Sequence, residues 1–265
     1  MKKLEIEKSI IKKFRKEIWR KFTKAVTDYN LIESGDKVAV CISGGKDSFL
    51  LAKCLEEIKK HGKIDFEIEY ISMDPGYSKD SSKVILENSK LLGIDLKLFE
   101  TDIFEVANKL NEKSPCYLCA RMRRGYLYDY ASKLGCNKIA LGHHYDDVVE
   151  TTMLNVLYNG RYETMLPKLK SKNFEGMELI RPLYLVEEKE IIKWCEFNNL
   201  KFIGCACNLK RENSKRAEVK ELIEKININN EFAKKNIFKS AENINIDQVL
   251  GYKEKDKKTT FLDKY

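Results

Sequence analysis

The chain has 265 residues, 43% of them apolar and 34% charged, with a formal net charge of +8. That size and balance suit a soluble globular protein of one ordinary domain plus a small accessory element. No run of about 18 apolar residues occurs and the N-terminus lacks an apolar signal core, so a cytoplasmic protein with no membrane partner is expected.

Residues 1–24 hold ten Lys or Arg against three Glu. Ile6, Ile10, Ile11, Phe14, Ile18, Phe22 and Val26 recur at threes and fours, which predicts one basic amphipathic helix over 3–29. The pattern then changes. Short apolar runs at 37–43, 66–73, 94–100, 136–142 and 177–184 read as buried strands. Helical stretches at 47–60, 79–93, from the SPCYLC segment to about 134, 146–158 and 186–200 separate them, with a short helix expected at 103–112. Gly93 and Gly135 read as helix ends. Alternation of this kind predicts an α/β fold, a Rossmann-like parallel sheet with helices on both faces. Residues 215–249 read as helical with a break near 226–232, and the polar end from 253 reads as frayed. The expected parts are a basic N-terminal helix (1–30), the α/β domain with an inserted cysteine site (31–214) and a helical C-terminal extension with a polar tail (215–265).

Eight cysteines are many for a reducing compartment, where clustered thiols point to metal or redox work. Cys41, Cys54, Cys136 and Cys195 lie singly among apolar residues and read as core. Cys116 and Cys119 form a C-x-x-C, which suits a redox pair, half a zinc site or part of an iron–sulfur site. Cys205 and Cys207 form a second pair about ninety residues on. Four thiolates would close a metal site; three would leave one position open.

Ser43, Gly44, Gly45, Lys46, Asp47 and Ser48 fall where a strand turns into a helix. Glycines let backbone approach an anion, a helix N-terminus offers unpaired N–H groups, and Lys46 adds charge. The spacing is not that of a Walker A loop. Asp74 ends the second apolar run, and GHHYDD at 142–147 follows the fourth, both at the sheet edge where ligands bind. Asp146 and Asp147 suit either a helix cap or Mg²⁺.

VCISGGKDS resembles the pyrophosphate-loop motif, SGGxDS, of the N-type ATP pyrophosphatases. The resemblance implies cleavage of ATP between its α and β phosphates, adenylation of a carbonyl oxygen, pyrophosphate held at Ser43–Ser48, and Mg²⁺ assistance. It places Asp47 among the matched residues, read as catalytic, and adenine and ribose near 41–43 and 73–74, with Asp74; Lys46, at the motif's variable position, is read as catalytic through charge stabilisation. Gly142, His143, Asp146 and Asp147 match the family's G-H-x-x-D-D. The segment 115–147 is similar to the central block of the tRNA 2-thiocytidine synthetases, relatives of the tRNA 2-thiouridine synthetases. That likeness, over roughly residues 20–250, implies a [4Fe–4S] cluster held by Cys116, Cys119 and a third cysteine, for which Cys205 is the match. Cys207 comes two residues later where the family often has a cysteine three later. Neither end carries the paired C-x-x-C of zinc ribbons common in the thiouridine branch, which favours cytidine.

The implied enzyme transfers sulfur to C2 of a pyrimidine in tRNA, from a sulfide or persulfide donor, and a homodimer is the family expectation. Arg121, Arg123 and Arg124, then Lys210, Arg211, Lys215 and Arg216, are the expected phosphate contacts, with Tyr117, Tyr126 and Tyr128 as candidate stacking partners for a flipped base. Rival readings are a persulfide-dependent thiolase, a sulfur-inserting enzyme acting on a free base, and a zinc-stapled RNA-binding module.

Overall fold

The apolar runs pair into one sheet. In the computed structural model, which describes residues 2–62, 64–74, 79–101, 103, 115–202 and 215–264, the elements in chain order begin with α1 (Lys2–Ile11), a π-turn (Arg15–Trp19), α2 (Arg20–Asp28), β1 (Lys37–Cys41), α3 (Lys46–His61), β2 (Glu67–Asp74), α4 (Lys79–Leu92) and β3 (Leu96–Glu100). They continue with α5 (Pro115–Lys133), β4 (Lys138–Ala140), α6 (Tyr145–Asn159), β5 (Lys168–Lys170), β6 (Glu178–Ile180), α7 (Glu188–Phe197), α8 (Lys215–Asn229), α9 (Ala233–Ser240), β7 (Gly251–Glu254) and β8 (Lys257–Thr260). The sheet order is β3-β2-β1-β4-β6-β5, parallel except for β5 against β6. The chain winds outward from β1 through β2 to β3, then crosses to β4 on the other side, so the carboxyl ends of β1 and β4 flank the switch point of the sheet. The α/β Rossmann-like expectation holds. The short helix expected at 103–112 lies almost wholly outside the described residues.

Both faces of β1 are covered, as a parallel strand requires. Ala39 and Cys41 join Ile71, Ile139, Leu179 and the α5 residues Tyr128 and Ala131 in one cluster. Val38 and Val40 point to the opposite face and are equally buried, as are Phe49 to Ala52 of α3. Gly93 and Gly135 end α4 and the α5 turn with φ of 64° and 73°, a conformation that a Cβ disfavours.

The N-terminal segment is not one helix. Its buried row runs Ile6, Ile10, Phe14, Ile18, Phe22. Steps of four on a helix of 3.6 residues per turn drift by about 40° each and would carry the row off the core. The π-turn corrects the drift: Phe14 N–H bonds to the Ser9 carbonyl and Trp19 N–H to that of Phe14, each five residues back. A buried ion cluster then fastens α1 to α3. Lys53, wholly buried, donates to Glu7 at 2.6 Å, to Glu56 and to the Leu92 carbonyl at 3.0 Å, and Lys60 reaches Glu7 at 2.9 Å.

By Cα packing the chain forms two units, residues 1–147 with 166–210, and residues 148–165 with 211–265. The second contains the end of α6, α8, α9 and the hairpin β7–β8. Arg216 pairs with Glu150 at 2.7 Å, and Val148, Val149, Val219, Ile223, Ala233 and Phe238 are its buried apolar residues among those described. Ile244 and Ile246 are exposed. The tail expected to fray instead pairs as that hairpin, with Lys255 at φ 54° in its two-residue turn.

The Glu7 carboxyl lies below its ordinary range: burial would raise it, but its hydrogen bonds from Lys53 and Lys60 outweigh that. A depressed carboxylate stabilises the fold above its unfolded pKa and loses that contribution as pH falls through the folded value. Glu7→Gln is expected to be less stable than wild type at neutral pH and to show a shallower loss of stability below about pH 4, measured by urea unfolding across pH.

Candidate nucleotide and thiolation site

The loop after β1 is built to leave backbone donors open. It is tied down as it departs: Ile42 N–H bonds to the Ile71 carbonyl, and Ser72 Oγ donates to the Ile42 carbonyl, both at 2.8 Å. Gly44 takes φ 85°, which lets the chain turn into α3. Ser48 Oγ accepts from Ser43 N–H at 3.2 Å and donates to the Gly45 carbonyl at 2.9 Å, holding the loop shut on itself. Gly45 is the N-cap of α3 and offers no side-chain cap, so the first turn keeps its helix-end donors for an anion.

The loop after β4 closes on this turn. A Cβ at Gly142 would sit 3.0 Å from both the Asp47 carbonyl carbon and the Ser48 nitrogen. That is tighter than nearly all Cβ contacts, and the atoms met are backbone, so an alanine would have to push the two loops apart by a few tenths of an ångström. Leu141 N–H and Tyr145 N–H bond to the Ile180 and Val186 carbonyls, at 3.0 and 2.9 Å, and fix the loop's other side. His144 is thereby buried among three carboxylates. Its Nε2 lies 3.5 Å from Asp147 and 4.0 Å from Asp47, and its Nδ1 is 3.8 Å from Asp146.

The two adjacent aspartates have helix-capping roles. Asp147 accepts the His144 N–H at 2.9 Å at the start of α6, and Asp146 accepts the Glu188 N–H at 2.7 Å at the start of α7. Lys46 spans the cleft, 3.2 Å from Asp47 and 3.0 Å from Glu188. Burial would lower the Lys46 pKa, but the two carboxylates hold it above its ordinary value, so it stays a cation. Burial pushes the Asp47 carboxyl up, and Asp147 adds to that, against the opposing pull of His144 and Lys46.

The structure thus brings Ser43, Gly44, Gly45, Lys46, Asp47 and Ser48 together with Gly142, His143 and Asp147 across the switch point. Asp74 ends the neighbouring strand β2, where its carboxylate accepts from Ser82 Oγ at 2.9 Å. Cys116 and Cys119 lie in the first turns of α5, whose start follows the carboxyl end of β3 in the chain. Cys205 and Cys207 lie outside the described residues. Cys41, Cys54, Cys136 and Cys195 are buried, and burial pushes their thiols up, to about 12, 11 and 12 for Cys41, Cys136 and Cys195. Tyr128, a candidate for base stacking, is core: it stacks on Phe174 with centroids 5.2 Å apart. Tyr126 is exposed, and the Tyr117 side chain lies outside the described ones.

Sequence reasoning placed His144 at the sheet edge without giving it a role, and missed Glu188. The first carries a visible signal, its i,i+3 spacing to Asp147; the second reads only as an ordinary acid at a helix start.

A family model described as a PP-loop domain matches residues 14–229. The chain belongs to the PP-loop family. Its relatives within that family narrow the branch to the tRNA 2-thiocytidine synthetases. The tRNA-cytidine(32) 2-sulfurtransferase 2 of Francisella tularensis subsp. holarctica is 37% identical over 249 residues, covering 92% of each chain. The tRNA-cytidine(32) 2-sulfurtransferase of Delftia acidovorans is 37% identical over 222 residues, covering 83% of this chain and 70% of its own. Among solved structures, the U34-tRNA thiolase NcsA from Methanococcus maripaludis, solved with its [4Fe-4S] cluster, matches with a TM-score of 0.71 at 26% identity, covering 86% of this chain and 78% of that one. For this PP-loop protein the approach at Gly142 is the most sensitive point of the site. Gly142→Ala is expected to lower both ATP affinity and stability, the latter by about 1–3 kcal/mol, measured by nucleotide titration and denaturant unfolding.

Proposed function

We propose that this chain transfers sulfur to C2 of a cytidine in tRNA, after activating the C2 oxygen with AMP. The coarse reading, an ATP-dependent tRNA-thiolating enzyme, follows from its branch of the PP-loop family. The observation that carries the nucleotide half is the first turn of α3, whose N-cap Gly45 supplies no side-chain cap, beside Lys46. ATP binds with its β and γ phosphates on Ser43–Ser48 and its adenosine toward β2 and Asp74. The C2 oxygen attacks the α phosphorus and the bond to the β-phosphate oxygen breaks, releasing pyrophosphate. Lys46 and the N–H groups of α3 stabilise the charge that develops on the leaving group. Sulfide then adds at C2, and AMP departs with the original oxygen; from a persulfide donor the outer sulfur adds instead, and a second thiol must cleave the S–S bond, itself ending in a disulfide with the donor.

Asp47 and Asp147 suit Mg²⁺, a hard ion that takes one or two carboxylates and completes its shell from substrate phosphates and water. No set of three His, Cys, Asp or Glu among the described residues is arranged to hold a metal alone, which fits an ion that arrives with ATP. The four inert buried thiols leave Cys116, Cys119, Cys205 and Cys207 as the donor set, soft ligands suited to iron. A [4Fe–4S] cluster on Cys116, Cys119 and Cys205 would supply a Lewis-acidic iron with an open position for sulfur. The relatives' name motivates cytidine 32 as the target, and a homodimer is the expected assembly.

Protein purified without oxygen is expected to hold about four irons and four sulfides per chain and to form 2-thiocytidine in tRNA, read by nucleoside mass spectrometry. A colourless, fully active protein would favour a cysteine persulfide instead, and zinc without AMP formation would favour an RNA-binding module. Cys205→Ala is expected to abolish thiolation with ATP affinity intact; normal thiolation would remove Cys205 from the site. Lys46→Ala is expected to lower tRNA-dependent AMP formation by about 10²–10³-fold with the cluster retained.

A further inference from the structure

Arg181 is a buried cation that forms no ion pair among the described residues. It follows β6 at the carboxyl edge of the sheet and is 6% exposed. Its Nη1 donates to the Leu166 carbonyl, while its buried Nε has no acceptor. Burial and then the nearby charge of Arg124 pull its pKa down to about 10. Arg124 lies on α5 one turn before Tyr128 and two turns after Cys116; it too forms no ion pair among the described residues. Both guanidiniums act on the buried Tyr128, which packs against the sheet. Asp147 acts on Arg181 yet leaves its buried Nε without an acceptor beside a second guanidinium, an arrangement that protein packing alone does not favour. It is the arrangement an anion completes.

The position says which anion. β6 is two strands from β1, on the side away from β2, so its end lies about 10 Å from the pyrophosphate loop. The adenosine is assigned to the opposite side and the β and γ phosphates have Lys46. Asp147, close enough to act on Arg181, stands on the intervening β4 edge. A phosphate reaching Arg181 and Arg124 therefore comes along the cysteine-bearing helix, from the face an RNA strand must use to bring its base in. A phosphodiester carries one charge and two free oxygens, which match guanidinium forks.

We propose that Arg181 and Arg124 clamp a phosphodiester of the tRNA strand beside the target nucleotide, fixing the base between the ATP loop and the cysteine helix. The proposal rests on tRNA being the substrate. Its test is the salt dependence of binding of an unmodified tRNA transcript to the holoenzyme, for wild type, Arg124→Gln, Arg181→Met and the double variant. Each variant is checked for folding by thermal unfolding and for Mg-ATP affinity without RNA. The double variant is expected to bind tRNA more weakly and to lower the slope of log K against log salt by about 0.7–0.9, one phosphate's worth, with Mg-ATP affinity unchanged.

An unchanged slope in folded protein overturns the clamp. So does an equal loss of Mg-ATP affinity, which would give the pair to the nucleotide. Should Arg181→Met fail to fold, the exposed Arg124→Gln alone decides: its slope falls, or the clamp is wrong. Thiolation of the same transcript is measured alongside. A lost slope difference with 2-thiocytidine still formed by wild type overturns the clamp alone. A retained difference without 2-thiocytidine supports the clamp and overturns the cytidine reading.

Discussion

The loop after β4 and the first turn of α3 approach so closely that any side chain between them would have to push one of them back. That contact, at Gly142, is the constraint on which the site depends. Backbone meets backbone there, so the relative position of two sheet-edge loops is set by covalent geometry rather than by rotamers. Asp47 and Ser48 stand on one side of the contact, and His144, Asp146 and Asp147 on the other. Asp146 passes the position on to α7 through the Glu188 N–H, and Glu188 returns it to Lys46 as an ion pair. The circuit runs from α3 through α6 to α7 and back. A shift at any member moves the loop proposed to hold pyrophosphate.

The circuit needs α3 itself to be held. Its first turn is left uncapped for an anion, which gives up a contribution of roughly 1 kcal/mol that a capping side chain supplies elsewhere. The helix beyond that turn is secured more heavily. Lys53 ties it to α1 and to the end of α4, and Phe49 to Ala52 are wholly buried. The N-terminal segment can reach across α3 only because the π-turn keeps its i,i+4 row facing inward. Asn198 also binds it, donating to Ser9 Oγ at 3.1 Å from the end of α7. The basic segment, legible in sequence as an accessory helix, is thus a clamp on the helix that carries the nucleotide loop.

What was legible in the sequence divides along physical lines. β1 and β4 are doubly covered strands, and double cover writes a continuous apolar run. The glycine loop and GHHYDD were legible because their chemistry demands particular residue types at a strand end. β5 was not, because it is a three-residue edge strand, KLK, whose lysines suit an exposed edge and resemble loop. The hairpin over 251–260 was hidden by charge: Lys253, Glu254, Lys257 and Lys258 face solvent, so no alternation appears. The π-turn was hidden because fours and threes both read as helix, and only the cumulative drift of a row of fours betrays it. Glu188 and Arg181 share a further reason. Each acquires its meaning from a partner far away in sequence, and one sequence without its fold does not pair Lys46 with Glu188.

The charges of the sheet edge are sorted by strand. The carboxylates gather at the β1–β4 side, Asp47, Asp146 and Asp147 around one imidazole, with Lys46 beside them. The arginines gather at the β6 side and along α5. A polyphosphate with its divalent cation needs both signs at once, since the metal wants oxygens while the phosphate wants donors. A nucleic-acid backbone brings no such compact cation and wants positive charge alone. Mixed charge at one end of the edge and an excess of positive charge at the other are therefore what two phosphate ligands of different kinds require. The interval between them, about two strand spacings or 10 Å, is the room available to a single base.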